Sequence, residues 1–269
     1  MPRTDVTARA WERVLAIRAG RACACCGDFS EGERAALDLY APIARPAGEA
    51  HLIAQIGQSL DGRVATESGD ARDVSGPEGI AHLHRIRALV DSVVIGVRTA
   101  LHDRPRLTVR LVPGTNPARV IIDPRGRLPN DAAVLAENGA RRIVIQSVGK
   151  ARPEGVEVIR LPQNSWIAPG DIVAALHARG LRNLLIEGGG ITIARFLEAD
   201  LLDRLHVSVA PLIIGAGPQG VTTSPVARLA DARRPATRVF ELGSDVLFDC
   251  AFSPATRAPA RAACHAATG

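Results

Sequence analysis

The sequence lacks the long apolar runs, the aromatic content and the lysines that point to several common classes of protein. No apolar run approaches the roughly 18 residues of a membrane-spanning helix. Residues 1–20 mix acidic and basic side chains and contain no uninterrupted apolar segment of the kind that a secretory signal needs. Because 46% of the 269 residues are hydrophobic and 23% are charged, the composition favours a folded, cytoplasmic protein.

Aromatic residues make up only 3% of the chain, and Lys150 is the single lysine among 33 basic residues. Few aromatic side chains are therefore present to stack on single-stranded nucleic acid, and no basic helix or finger spacing occurs. The net charge of +5 rests on arginine, whose planar guanidinium binds phosphate in a bidentate fork. We therefore expect a phosphorylated small molecule as the partner, and neither nucleic acid nor a membrane.

The five cysteines do not indicate a disulfide framework, because their number is odd and no secretory signal accompanies them. Three of them form the run Cys23-Ala24-Cys25-Cys26-Gly27, which could bind a soft metal. A closed zinc site needs four ligands, usually in two separated pairs, and no second pair follows at that spacing. The sequence therefore predicts no metal site, and we interpret the run as an incidental thiol cluster.

The order of apolar segments divides the chain into three parts. Residues 1–48 are predicted to form an N-terminal helical extension and linker, residues 49–253 one catalytic domain, and residues 254–269 a flexible tail. In the central part, short apolar strands alternate with amphipathic helices, which predicts an α/β fold with a central, mostly parallel sheet covered on both faces. The predicted strands are 51–57, 92–96, 119–122, 142–147, 156–161, 181–187 and 205–214 with a hairpin at 239–252, and the predicted helices are 7–19, 77–89, 171–179 and 191–202.

A glycine-rich turn follows one of the buried strands. The apolar segment 184–186 runs through Glu187 directly into Gly188-Gly189-Gly190, and a predicted helix begins at Ile191. Glycines let a ligand approach the backbone closely, and the amides at a helix start attract phosphate. The turn therefore predicts a phosphate site or, alternatively, a tight connection without a ligand. Glu187 ends a buried strand, where a carboxylate needs a partner unless it lies on a solvated rim.

A second polar segment, residues 96–110, follows another predicted strand. It is predicted to form one loop that contains Arg98, Arg104, Arg106 and Arg110. Because the loop lies at the carboxyl end of a parallel strand, it favours binding of an anion, with a solvated charged loop as the alternative.

Several short motifs follow one another along residues 59–215. They are Ser59-Leu60-Asp61-Gly62-Arg63, Ser75-Gly76-Pro77-Glu78, Gly96-Val97-Arg98-Thr99, Val120-Ile121-Ile122-Asp123, Glu187-Gly188-Gly189-Gly190 and Ala210-Pro211-Leu212-Ile213-Ile214-Gly215. In this order they resemble the reductase domain of riboflavin biosynthesis, the 5-amino-6-(5-phosphoribosylamino)uracil reductase that forms the C-terminal domain of the bacterial bifunctional deaminase-reductase. The resemblance covers about residues 50–252, and the His-x-Glu and Pro-Cys-x-x-Cys elements of the zinc-binding deaminase do not occur in the sequence.

The resemblance implies a three-layer fold of the dihydrofolate-reductase-like type and an NADPH-dependent reduction of a phosphoribosylamino-pyrimidine. In that reaction the ribose opens to an imine, hydride reaches the former anomeric carbon, and a ribityl chain results. The protein must align the cofactor with that carbon and neutralise the phosphates. The resemblance also implies a homodimer.

The resemblance assigns roles to individual residues. The cofactor is expected to contact Gly57, Thr99, Asp103, Gly189, Gly190, Ile191, Thr192, Ile193 and Ala194. The positions that match substrate contacts are Arg87, Leu107, Arg110 and Glu187. The arginines suit a 5′-phosphate, and Glu187 suits a pyrimidine amino group or the sugar. The catalytic proton donor to the imine nitrogen stays open between Asp61, Glu187 and bound water.

Three positions depart from the family pattern and leave the exact substrate open. Ala71-Arg72-Asp73 stands where the family usually has Ser-x-Trp, Arg104 replaces a second aspartate, and Pro124 replaces a frequent serine. Losing the tryptophan removes a stacking surface, and Arg72 or Arg104 could engage an extra phosphate instead. Two other functions therefore stay open: a reductase of a dihydropterin or another heterocyclic precursor, and a nucleotide-binding regulatory protein without turnover.

Overall fold

One nine-stranded sheet runs through the residues that the computed structural model describes, which are 1–44, 50–162 and 166–252. The strands are β1 (His51–Ser59), β2 (Ser92–Gly96), β3 (Ala118–Ile122), β4 (Arg142–Gln146), β5 (Val156–Arg160), β6 (Asn183–Glu187), β7 (Arg204–Ala210), β8 (Ala236–Leu242) and β9 (Asp245–Ala251). Their order is β5-β4-β3-β2-β6-β1-β7-β9-β8. All pairings from β5 to β7 are parallel, and β9 pairs antiparallel with β7 and β8. The predicted α/β fold with a mostly parallel sheet is confirmed.

Helices cover both faces of this sheet. They are α1 (Ala8–Arg18), α2 (Glu31–Tyr40), α3 (Pro77–Leu89), α4 (Val97–Asp103), α5 (Pro169–His177) and α6 (Gly190–Glu198), with 3₁₀ turns at Ala133–Leu135 and Leu229–Asp231. Successive strand side chains point to opposite faces, so Ile53 of β1 packs in the core with Ile86 of α3, whereas Leu52 packs in the core with Phe196 of α6. The result is three layers. No described helix is both long and apolar enough to cross a membrane.

Two of these helices differ from the sequence prediction. The prediction of 96–110 as one loop is wrong for its first part, because β2 leads directly into α4, which ends at Arg104 with a left-handed φ of 45°. The helix α2 begins with a capping box, in which the Ser30 hydroxyl accepts from the Glu33 amide and the Glu33 carboxylate accepts from the Ser30 amide. The Ser-x-x-Glu pattern of this box is a sequence signal for a helix start.

The N-terminal segment packs into the same core as the sheet. Trp11 of α1 and Tyr40 of α2 make an edge-to-face contact with ring centroids 5.7 Å apart, in the core that also holds Ile53. The Trp11 indole Nε1 donates to the Pro113 carbonyl at 2.8 Å. The predicted boundary at residue 48, part of the predicted linker and the predicted tail at 254–269 lie outside the described residues.

A buried chain of hydrogen bonds also joins α2 to the sheet. The Tyr40 hydroxyl lies 2.8 Å from His82 Nδ1, and His82 Nε2 lies 3.0 Å from His206 Nδ1 on β7. Burial lowers the pKa of both imidazoles. The two histidines are therefore neutral links inside the protein near neutral pH.

Candidate active site

A cleft of about 1100 Å³ opens at the carboxyl ends of β2, β3 and β6. Its lining includes Gly96 and Thr99 at the start of α4, Ile122 at the end of β3, and Gly189 and Gly190 at the start of α6. Parallel strands end at the same edge of a sheet, so the turns that follow them converge there. The glycine turn and the segment that begins at Gly96 therefore both line one cleft and adjoin each other.

These two segments pack so closely that each requires glycine. A Cβ atom on Gly188 would lie 2.9 Å from a side-chain carbon of Thr99, and one on Gly189 would lie 2.8 Å from the Thr99 hydroxyl. Both glycines have positive φ angles, of 68° and 61°. A Cβ atom on Gly96 would lie 2.8 Å from the Thr192 hydroxyl of the other segment. The glycines thus bring two backbones and two hydroxyl groups close together.

The first turn of α6 offers backbone amides to the cleft. The Thr192 amide donates to the Gly189 carbonyl at 2.8 Å, and the amides of Gly190 and Ile191 occupy the first two positions of the helix. Amides at such positions lack partners within their own helix and attract anions. Gly190 also lies directly under the Gly220 carbonyl, which a Cβ atom at this position would overlap.

The cleft brings together six of the nine residues predicted to bind the cofactor, which are Thr99, Asp103, Gly189, Gly190, Ile191 and Thr192. The side chains of Ile193 and Ala194 are buried, so these residues can offer only backbone atoms. Gly57 of β1 packs against Ser75, whose hydroxyl would lie 2.5 Å from a Cβ atom there. That contact alone gives Gly57 a structural reason to be glycine, and its predicted cofactor contact stays a prediction.

Four exposed arginines surround the cleft, and the sequence analysis did not group them. They are Arg98, Arg125, Arg127 and Arg195. The Arg195 guanidinium lies over the Trp166 ring, 4.7 Å from its centroid, in a cation–π contact. Neither Arg72 nor Arg104, which the sequence analysis considered for an extra phosphate, is among the described residues that line the cleft.

The turn that carries two of these arginines is rigidly anchored. Asp123, directly after β3, forms a fully buried ion pair with Arg152, with 2.6 Å between Oδ2 and Nη2. Its two carboxylate oxygens also accept the amides of Arg127 and Leu128 at 2.8 Å and 2.9 Å. Because the carboxylate is held from two directions, the turn that contains Arg125 and Arg127 has a fixed position at the edge of the cleft.

An ion pair between Arg87 of α3 and Glu187 at the end of β6 lies beside the glycine turn. The Arg87 Nε donates to Glu187 Oε2 at 2.8 Å, and Nη2 donates to the other carboxylate oxygen, so the pair is bidentate. Arg87 is 5% exposed and Glu187 8% exposed, and Arg87 Nη1 donates to the Thr108 carbonyl at 3.1 Å. Glu187 therefore has the buried partner that a carboxylate at the end of a buried strand requires.

Arg110 is an exposed cation next to this pair. Its Nη1 donates to the Thr108 hydroxyl at 2.5 Å, and its amide donates to His84 Nδ1 at 3.0 Å. Partial burial and then the charges of Arg87 and Arg106 lower the pKa of Arg110. Burial and the charges of Arg87 and Arg110 lower the pKa of His84 to about 4. Three guanidinium groups and a neutral imidazole thus form one positively charged patch.

The remaining predicted substrate residue, Leu107, has a different environment. Its side chain is buried in the core, and its φ angle of 53° is left-handed. Only its backbone is available to a ligand, so its predicted contact with the substrate stays a prediction about main-chain atoms.

Asp61 is held as a carboxylate by three donors. The Ser59 hydroxyl donates to it at 2.5 Å, and the amides of Ile214 and Gly215 donate at 3.1 Å and 2.7 Å. These hydrogen bonds, led by that of Ser59, lower the pKa of Asp61 to about 2. An ionised carboxylate has no proton to give near neutral pH. The catalytic roles that the resemblance implies for Asp61 and Glu187 stay predictions.

Comparison with known proteins agrees with this geometry. Residues 50–248 match a family model described as the RibD C-terminal domain. The 2,5-diamino-6-ribosylamino-4(3H)-pyrimidinone 5′-phosphate reductase of Methanothermobacter thermautotrophicus is 32% identical over 211 residues, which cover 74% of this chain and 96% of that protein. The riboflavin biosynthesis protein RibD of Aquifex aeolicus is 34% identical over 166 residues, which cover 60% of this chain and 46% of that protein.

A solved structure gives the same result for the fold. The crystal structure of a diaminohydroxyphosphoribosylaminopyrimidine deaminase/5-amino-6-(5-phosphoribosylamino)uracil reductase from Thermotoga maritima has a TM-score of 0.68 and 26% identity, and the match covers 76% of this chain and 57% of that one. The chain thus spans about half the length of the longer RibD proteins that it matches. The predicted three-layer fold with a central, mostly parallel sheet is confirmed, and the chain belongs to the RibD C-terminal domain family.

Proposed function

We propose that the chain reduces the ribosyl group of a phosphoribosylamino-pyrimidine to a ribityl group in riboflavin biosynthesis, with NADPH as the cofactor. The observation that carries the proposal is the position of the glycine turn in a chain of this family. Glu187 belongs to the Arg87 pair, and the next residue, Gly188, packs on Thr99 in the cleft. Ligands in the cleft and on the arginine patch would therefore meet at this turn.

The cleft fits a nicotinamide dinucleotide both in size and in the groups that it offers. A volume of about 1100 Å³ accommodates a large ligand, and the amides of Gly190 and Ile191 suit a pyrophosphate. The hydroxyls of Thr99 and Thr192 add donors from either segment. When bound, the reduced nicotinamide supplies the hydride.

The arginines around the cleft favour NADPH over NADH. A 2′-phosphate is a dianion that a guanidinium binds through two hydrogen bonds, whereas a 2′-hydroxyl is usually held by an acidic residue. Arg125 and Arg127 stand at the end of β3 on the turn that Asp123 anchors. We infer that the arginines of this turn bind the 2′-phosphate.

The arginine patch supports recognition of a phosphorylated substrate. Arg110 is exposed and feels the positive charge of Arg106, so it suits the 5′-phosphate. Arg87 is engaged by Glu187 and Thr108, and its role is to orient the Glu187 carboxylate. The remaining lone pairs of that carboxylate can accept from a pyrimidine amino group.

The chemistry requires one hydride and one proton. The hydride adds to the former anomeric carbon of the imine, and the proton goes to the imine nitrogen. With Asp61 ionised and Glu187 paired, the chain's role is to hold a water molecule near that nitrogen and to align the reacting atoms.

The test is to incubate the chain with NADPH and the ribosylamino-pyrimidine phosphate, in both its diaminopyrimidinone and its aminouracil form. Oxidation of NADPH with a product that has gained two hydrogens is the expected result. Arg110→Gln should raise the KM for this substrate, whereas Arg228→Gln, an exposed change outside the site, should not. Oxidation only with a dihydropterin would favour a pterin reductase, and cofactor binding without turnover of either would favour a regulatory protein.

A homodimer in the cytoplasm stays the predicted setting of this reaction. Light scattering of the purified chain tests the dimer, and fractionation of cells that produce it tests the location.

A further inference from the structure

The turn between α1 and α2 brings together three cysteine thiols. Cys25 Sγ lies 3.1 Å from Cys23 Sγ and 3.7 Å from Cys26 Sγ, and all three sulfur atoms lie within 4.8 Å of one another. A cation with metal–sulfur bonds of about 2.3 Å holds its thiolates about 3.8–4.0 Å apart. The three sulfur atoms therefore need to move only slightly to bind a single cation.

The backbone of this turn is held in place by groups other than the thiols. The Arg34 guanidinium donates to the carbonyls of Ala24 and Gly27, at 2.8 Å and 2.9 Å. The following helix is fixed by the capping box of Ser30 and Glu33. The carbonyls on either side of Cys25 and Cys26 are thus pinned, so the turn is already organised before any ligand binds.

Arginine side chains lie next to this turn, and Arg13 Nη2 would lie 3.4 Å from a Cβ atom on Gly27. The guanidinium groups of Arg9, Arg13 and Arg34 lie 4.8 Å, 5.6 Å and 5.3 Å from the centroid of the Phe29 ring, which is three residues after Cys26. Three thiolates leave a net negative charge on a bound monovalent or divalent cation, and arginines next to the turn offset that charge.

Sulfur alone makes up this group. Among the described residues it contains no histidine and no carboxylate, and soft thiolate ligands select Cu⁺ and Zn²⁺ over hard cations such as Mg²⁺ and Ca²⁺. We propose that Cys23, Cys25 and Cys26 bind one thiophilic cation, Cu⁺ or Zn²⁺, through three thiolates. A closed structural zinc site has four ligands from the protein, and the described residues supply three of them here.

This site lies outside residues 50–248, the segment that matches the reductase family. Sequence spacing did not predict it, because spacing alone showed three ligands without a second pair. The structure adds the convergence of the sulfur atoms and the Arg34 hydrogen bonds that hold the turn. The proposal is independent of the proposed reductase function, and its readouts involve no turnover.

The test uses the full chain, reduced and stripped of metal with a chelator. It is titrated anaerobically with Zn²⁺ and, separately, with Cu⁺ in competition with a chromophoric chelator. We expect one equivalent of at least one of the two cations to bind per chain. The Cys23→Ser/Cys25→Ser/Cys26→Ser variant should lose at least about tenfold in affinity, because a hydroxyl is a poor ligand for a soft cation. Cys250→Ser, which alters a thiol on β9, is the matched control and should bind as the parent does.

Saturation by either cation, with loss in the triple variant alone, supports the site. Absence of saturable binding for both cations, or equal binding by the triple variant, overturns it. If the triple variant does not fold, the unaltered chain gives a second readout. A bound cation should protect the three thiols from alkylation while Cys250 keeps its reactivity, and equal alkylation with and without metal overturns the proposal.

Discussion

The buried pair of Arg87 and Glu187 allows a quantitative prediction. Replacing either residue by Met leaves the other charge without its partner at a position that is 8% exposed or less. Removing one member of a buried ion pair typically costs about 3–5 kcal/mol of the free energy of unfolding. For a domain of this size, about 2–4 °C per kcal/mol converts that cost into a fall in Tm of roughly 6–20 °C. Replacing both residues by Met removes both charges and should recover most of the loss.

The assay is a double-mutant cycle by calorimetry or circular dichroism, with denaturant unfolding as a second measure. An exposed ion pair serves as the control: Arg228 and Asp231 have side chains that are 78% and 43% exposed, and Arg228→Met should leave Tm unchanged. The coupling between Arg87 and Glu187 should also survive high salt, since buried charges are poorly screened. If the double variant loses as much stability as the two single variants together, the reasoning about this pair is refuted.

Three further predictions concern the cleft and His84. Gly190→Ala should abolish cofactor binding or fold poorly, because its Cβ would overlap the Gly220 carbonyl; a dissociation constant like the parent's would contradict this. Arg127→Gln should raise the KM for NADPH by about 10-fold to 150-fold, the loss of a charged hydrogen bond, and leave that for NADH unchanged; equal changes would argue against a 2′-phosphate contact. The pKa of His84 is about 4 in the folded protein against 6.5 unfolded, so the unfolded chain binds the proton more tightly. The free energy of unfolding should therefore be undiminished above pH 6.5 and fall as the pH falls towards 4. His84→Gln should flatten that part of the Tm profile, and an unchanged slope would count against it.

The sheet could be predicted from sequence because its signals are local. The segment 92–96 contains a short apolar run after the polar Asp91, and the strand has the predicted bounds. Helix α4 carries no such signal, since its seven residues mix apolar, basic and acidic side chains. Its buried residues, Val97 and Ala100, pack into the core, and tertiary packing of this kind overrides weak local preferences.

The candidate site also has a part that could be predicted from the sequence and a part that could not. The glycine turn and the helix that follows it are contiguous in sequence, so their role could be predicted. The arginines around the cleft come from α4, α6 and the turn after β3, and only the strand order brings them together. The anchor of that turn, Asp123 with Arg152, joins residues 29 positions apart. Asp61 owes its low pKa first to the Ser59 hydroxyl, which is local, and then to amides about 150 residues away, which the sequence could not place.

The packing of the first 44 residues bears on how this protein can be dissected. The match to the family model starts at residue 50, yet Trp11 and Tyr40 pack in the same core as Ile53 and Ile86. Cutting the chain where the similarity starts would expose apolar side chains to water and orphan the imidazole that Tyr40 contacts. The evolutionary unit and the unit that must fold together therefore have different limits, and studies of the reductase chemistry should keep the N-terminal helices attached.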